Sequence, residues 1–232
     1  MVAKALCAGS LVLGLALAAR GHVLLDPDVV EGLIAEIARF SKESRKGPEA
    51  DEALYRLGVT VEALVGLMNQ DAAAHGQSDF LAQLVVKRLE AKQVVVRVRD
   101  GRFEYDLAAF REYLRRAPSG PRAATARFRL IAQAFHRSTG DDPLQTDGAD
   151  VRELRSAIEE EEHFLRDYPA DARAKDVQFF LAVDYCRLQA FMTEPVRLYL
   201  DRCRAGLQDI MARRPGTMEA RAAEALLERL AP

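Results

Sequence analysis

The sequence predicts an all-α chain of stacked antiparallel helix pairs, an α-solenoid, interrupted by one short β-hairpin. Three observations carry that prediction. Pro118, Pro169 and Pro215 share one apolar register, with Tyr113, Phe164 and Ile210 five residues before and Ala123, Ala174 and Ala220 five after. Ala126, Val177 and Ala223 follow eight after, and Leu130, Leu181 and Leu227 twelve after. A helix that ends at a proline turn, followed by a helix that begins with small residues, cannot bury its apolar face alone, so its repetition implies stacking. The second observation is composition. The chain is 49% hydrophobic and 29% charged, has no Trp, and carries Asn69 as its single Asn, a balance that favours helix. The third is a break in helical spacing: Val94, Val96 and Val98 alternate with Arg97 and Arg99, and Asp100-Gly101 separates them from Phe103 and Tyr105. Alternation with an Asp-Gly turn predicts a hairpin at 94–105, because both turn residues must tolerate positive φ. An irregular loop is the alternative.

Residues 1–21 read as a signal peptide. Lys4 gives a positive start, 5–19 is an uncharged apolar run, and Ala16, Leu17 and Ala18 form a small-x-small cleavage site. The run is shorter than the ~20 residues that span a bilayer. An uncleaved tether is the alternative. Later apolar stretches are broken by charge, and Cys7 stands near the start of the apolar run and not directly after it, so no lipid-bearing Cys follows the run. The expected localisation is export to the periplasm, with the outer membrane as one place of association and membrane contact only indirect or peripheral.

An N-terminal helical region at 22–93 follows. Its first helix starts at Asp28 and turns Val29, Val30, Leu33, Ile34, Ile37 and Phe40 to one side. After a polar loop at 42–47, Pro48 opens a second helix with Leu54, Leu57, Val61, Leu64, Val65 and Met68 at helical spacing, closed by His75-Gly76. Ser78 then caps a helix through Leu81, Leu84, Val85 and Leu89. Beyond the hairpin, helix pairs fill 106–232. Gly120, Asp171 and Thr217 each stand two after a proline, where they can cap the next helix. Asp150 with Glu153 makes a capping box for a helix at 151–167, whose Val151, Leu154, Ile158, Leu165 and Tyr168 face inward. Residues 139–149, rich in Gly, Asp and Pro, form an inserted loop.

Cys186 and Cys203 survive signal removal. An even count in an exported chain permits a disulfide. Symmetry about a turn near Met192-Thr193 places residue 199 opposite Cys186, leaving Cys203 about 6 Å too far along the axis. Two buried free thiols are therefore expected, with the disulfide as the alternative.

Phe110-Arg111-Glu112-Tyr113-Leu114 with Pro118 and Ala123, and Phe164-Leu165-Arg166-Asp167-Tyr168-Pro169 with Ala174, resemble tetratricopeptide-type repeats. Ala157, Phe164 and Pro169 match positions that close such a repeat, and Leu54, Leu57 and Gly58 resemble its opening. The wording is similar to two bacterial envelope families, the tetratricopeptide lipoprotein of the outer-membrane β-barrel assembly machinery and the periplasmic coordinator of the Tol-Pal system. The resemblance covers 107–231 and implies a scaffold or adaptor for protein partners in the envelope, in outer-membrane assembly or maintenance. The prolines stand 51 and 46 residues apart, against a family repeat of about 34. Glu161 occupies a position where the family prefers an apolar aromatic, and the lipid-bearing Cys has no counterpart.

Little in the sequence points to catalysis, and no enzyme activity or cofactor is expected. Glu160 and His163 have the Glu-x-x-His spacing of di-iron bundles, but no second pair completes the ligand set. Asp141, Asp142, Asp147 and Asp150 do not follow a calcium-loop spacing. His22, His75 and His136 are isolated, so no metal site is predicted. With 33 basic against 35 acidic residues, the charge balance gives no support for nucleic-acid binding. Charge segregation is more informative. Arg111, Arg115, Arg116, Arg122, Arg127, Arg129 and Arg137 face one acid, Glu112, whereas 141–162 is strongly acidic. Either the two blocks neutralise each other across adjacent repeats, or Arg111, Arg115, Arg116, Arg122 and Arg127 present a positive strip to an acidic partner or anionic head groups. Phe110, Tyr113, Phe128 and Phe135 interleave with that strip as anchors or as core. The competing functional reading is a periplasmic carrier of a small or lipidic ligand, with the hairpin covering an apolar pocket.

Overall fold

The computed structural model describes residues 25–75, 80–99, 101–139, 144, 150–192 and 196–230. Its fold is all-α with one two-stranded antiparallel hairpin, and nine helices lie among the described residues. The chain divides into two compact units, Met1–Glu112 and Tyr113–Pro232. The hairpin falls within the first unit, whose limit lies inside a helix.

In the first unit, helix α1 (Pro27–Glu43) begins one residue before the expected start. Asp26 accepts a bond from the Asp28 N–H at 2.8 Å, and Pro27 supplies a first position that needs no donor. Val30, Ile34, Ile37 and Phe40 form the buried stripe, while Val29 falls outside it and is exposed. Helix α2 (Ala50–His75) packs on α1 and buries Leu54, Val61, Leu64, Val65 and Met68. Each such side chain contributes about 1.5–3 kcal/mol of transfer free energy. Helix α3 (Phe80–Glu90) buries Val85 and Leu89 and leaves Leu84 exposed. Its expected cap, Ser78, lies outside the described residues. Arg88 of α3 grips both oxygens of Glu31 on α1.

Strands β1 (Val96–Arg99) and β2 (Arg102–Tyr105) pair Val96 with Tyr105, Arg97 with Glu104, Val98 with Phe103 and Arg99 with Arg102. Gly101 adopts φ 78°, the left-handed value that the Asp-Gly signal anticipates. Val96, Phe103 and Tyr105 are buried, and β2 lies against α2. Helix α4 (Ala108–Arg116) follows at once, held by the Ala109 N–H donating to the Tyr105 hydroxyl at 2.9 Å. Phe110 explains why the unit extends this far: its ring meets Tyr55 edge-on and covers Gly58, where a Cβ would lie 2.7 Å from it.

The second unit contains α5 (Ala123–Thr139), α6 (Val151–Asp167), α7 (Ala174–Ala190), α8 (Arg197–Arg213) and α9 (Met218–Arg229). Each helix packs on the next, and α5 also reaches α7. The proline register is a burial register. Tyr113, Phe164 and Ile210 are buried, as are Ala123, Ala174, Ala220, Ala126, Val177 and Ala223, and the three leucines twelve after are half-buried. Of the expected caps, Thr217 accepts from the Ala220 N–H at 3.2 Å, and Asp150 accepts from Arg152 N–H at 2.8 Å. Asp171 does not cap α7, which starts after Arg173. It binds the Arg173 backbone at 2.9 Å and the guanidinium at 2.7 and 2.6 Å.

The expectation of free thiols is overturned. Cys186 on α7 and Cys203 on α8 form a disulfide, with Cα atoms 5.0 Å apart. The connection sits later in the chain than a turn at Met192-Thr193 would place it, because α7 ends at Ala190 and α8 begins only at Arg197. That shift carries the position facing Cys186 toward Cys203.

Candidate functional site

The residues of the predicted arginine strip are not equally exposed. Arg111 belongs to the first unit and lies 3.5 Å from Asp106. Arg127 on α5 is half-buried and reaches Asp167 of α6 at 3.9 Å, neutralisation across neighbouring helices. Its Nε is buried without a hydrogen-bond partner. Arg115, Arg116 and Arg122 are exposed, and they flank the turn between α4 and α5. That turn is shaped by Tyr113, whose buried ring sends its hydroxyl to accept from the Arg122 N–H at 3.0 Å. The interleaved aromatics are mainly core: Phe110, Tyr113 and Phe135 are buried, and Phe128 is half-buried among Phe164 and Phe180.

A second constellation lies in the core. Glu161 of α6 is 1% exposed, and Asp184 and Arg187 of α7 are 0% exposed. Arg187 Nη1 donates to Asp184 Oδ1 at 2.9 Å and to Ser138 Oγ at 2.8 Å, and Nη2 donates to the Ser138 carbonyl at 2.7 Å. Helices α5 and α7 thus meet on one guanidinium, with Glu161 of α6 as a charged neighbour. Burial pushes the Glu161 carboxyl well up, and the neighbouring Asp184 carboxylate pushes it further. Burial also raises Asp184, while Arg187 holds it down. Glu161 Oε2 and Asp184 Oδ2 are both buried without a hydrogen-bond partner, and a proton retained on Glu161 would let it donate to Asp184. The group is then one neutral acid, one carboxylate and one guanidinium. That assignment leaves no net charge in the core, the condition under which buried ions are tolerated.

On the solvent side of the same helices, Glu162 accepts from the Tyr185 hydroxyl and from Arg202 of α8, each at 2.6 Å. Arg202 also lies over the Tyr185 ring at 5.1 Å. Sequence reasoning noticed Glu161 as an anomaly and missed Asp184 and Arg187. The available signal was their position inside a helix apolar on every side, among Ala182, Val183, Cys186 and Leu188. A charged pair three residues apart in such a helix must be satisfied internally. Glu160 and His163, the di-iron spacing, are both exposed on α6. No group of three or more potential metal ligands occurs among the described residues, and Asp141, Asp142 and Asp147 fall outside them. Among the described residues, no helix is long and apolar enough to cross a membrane.

The buried trio can hold a proton and lock helices, but with exposures of 0–1% it offers a substrate no access. The chemistry available to a partner is that of the surface. No protein-family model, curated protein or solved structure matches this chain.

Proposed function

We propose that the protein is an exported helical scaffold or adaptor that binds protein partners in a bacterial cell envelope, in outer-membrane assembly or maintenance. The observation that carries this reading is how firmly the second unit is fixed. A disulfide joins α7 to α8, and buried charge joins α5, α6 and α7. Helices held in this way keep their outward residues in place, so a partner pays little ordering entropy in docking. The disulfide also suits an oxidising compartment, as does the leader-like composition of 1–21. Arg115, Arg116 and Arg122 supply an exposed positive surface beside the α4–α5 turn for an acidic partner.

In-cell crosslinking of the tagged full-length chain tests the reading. The expected result is capture of a defined envelope protein, weakened when Arg115 and Arg116 are both changed to Glu in a chain that still folds. Undiminished capture by that variant overturns the arginine surface as the contact, and failure to capture any envelope protein overturns the scaffold itself.

A further inference from the structure

The two edges of the hairpin differ. The Asp106 N–H donates to the Val95 carbonyl at 3.4 Å, continuing the ladder by one pair. In an antiparallel ladder hydrogen-bonded pairs alternate with non-bonded ones. The bonded pairs are therefore Val95 with Asp106, Arg97 with Glu104, and Arg99 with Arg102. Val96 and Val98 on β1, and Phe103 and Tyr105 on β2, consequently turn their backbone groups outward. On β2 that edge is plugged: Asn69 of α2 donates to the Phe103 carbonyl at 2.8 Å and accepts from the Phe103 N–H at 2.7 Å. The only asparagine of the chain thus imitates one residue of a neighbouring strand. On β1 no described residue bonds the outward backbone of Val98, and its side chain is 59% exposed.

We propose that the β1 edge at Val98 is a docking site for an extended segment of a partner protein that alternates acidic and apolar residues, added antiparallel beside Val98. The inference rests on the reading of the chain as a partner-binding protein and gives it a second, separate contact. Main-chain bonds from Val98 would supply affinity, and alternate side chains would supply specificity. On one face, apolar residues of the segment meet the exposed Val98. On the other, Arg97, Arg99 and Arg102 stand exposed beside the single Glu104, so the residues opposite Arg97 and Arg99 must be acidic. The same arginines disfavour a second copy of this chain, because edge-to-edge pairing of β1 with itself sets like charges against each other.

The test uses the full chain and a capped eight-residue peptide alternating valine and glutamate, read by fluorescence anisotropy and by amide hydrogen exchange. Val98→Pro removes an outward N–H and no ladder bond, so the hairpin keeps its own pairing. Binding with new protection at the Val98 amide is expected. Affinity should fall at least tenfold in Val98→Pro, and a similar loss is expected in Arg97→Glu, which keeps the backbone edge intact. A lysine-for-glutamate peptide should not bind. Equal binding by Val98→Pro, or peptide protection elsewhere in the chain, overturns the proposal. So does concentration-dependent dimerisation of the wild type that Val98→Pro abolishes, since the occupant would then be a second copy. In-cell partner capture that survives Val98→Pro also overturns the edge as the docking site, while leaving the scaffold reading intact.

Discussion

The two units are held by different means. The first relies on an apolar stripe shared by α1 and α2, and a pair of neutral bonds from Asn69 to Phe103 ties α2 to the hairpin. The second buries an ion pair, a carboxyl that burial pushes well up and a disulfide in and around one helix, α7. Apolar packing tolerates small displacements. A buried guanidinium bonded to Asp184 and to the hydroxyl and carbonyl of Ser138 does not, because every lost bond leaves an unpaired polar group in a dry interior. The contrast teaches that this chain spends its costly interactions where helices must keep one register, and leaves an unfinished strand edge where the packing is ordinary.

The largest effect should come from Arg187→Met, which strands Asp184 without its counter-charge and frees Ser138. Urea unfolding followed by circular dichroism should show a loss of about 3–5 kcal/mol. Hydrogen exchange should place the loss in α5–α7, with the amides around Leu64 and Met68 unchanged. A loss shared equally by both units would break the comparison. Reducing the disulfide, or changing Cys186 and Cys203 to Ala, opens a closed loop of sequence separation 17. The second unit should lose about 3 kcal/mol, visible as a reductant-dependent fall in Tm. The first unit offers a smaller effect. Asn69→Ala should cost about 1–3 kcal/mol, because it leaves the Phe103 backbone unpaired, and exchange at the hairpin should quicken selectively.

Glu161→Gln gives the smallest effect in acid and the sharpest test of the trio. Burial pushes the Glu161 carboxyl well up in the native state, whereas the unfolded chain releases this proton near the ordinary value of 4.5. Between that value and the raised native one, the native state binds more protons, so stability falls as pH rises. The amide of Gln donates at every pH. The variant should therefore match the wild type within about 1 kcal/mol at low pH and lose this downward slope. A wild-type profile with no decline above pH 4.5 would show Glu161 ionised in the native core.

Much of the architecture was legible. The proline register fixed which small residues meet, and every residue at its buried positions lies inside, because close helix approach and core placement follow from local spacing alone. The Asp-Gly signal located the hairpin, since turn chemistry demands positive φ at Gly101. The arginine strip was legible as composition but not as a surface. Asp106 and Asp167, which engage Arg111 and Arg127, are neighbours only after the helices pack. Likewise, residue spacing placed Cys186 a turn from Cys203, because symmetry about an assumed turn cannot see where α8 begins.

By itself, the sequence determined that this chain is helical, where its hairpin lies, and which residues of the proline register face inward. These are properties of local period, capping and turn residues. Tertiary structure alone decided that burial pushes the Glu161 carboxyl well up, that Cys186 meets Cys203, and that Asn69 closes one strand edge. Each of these depends on distances between segments remote in the chain, and on the loss of water that makes a buried charge or an unpaired amide costly.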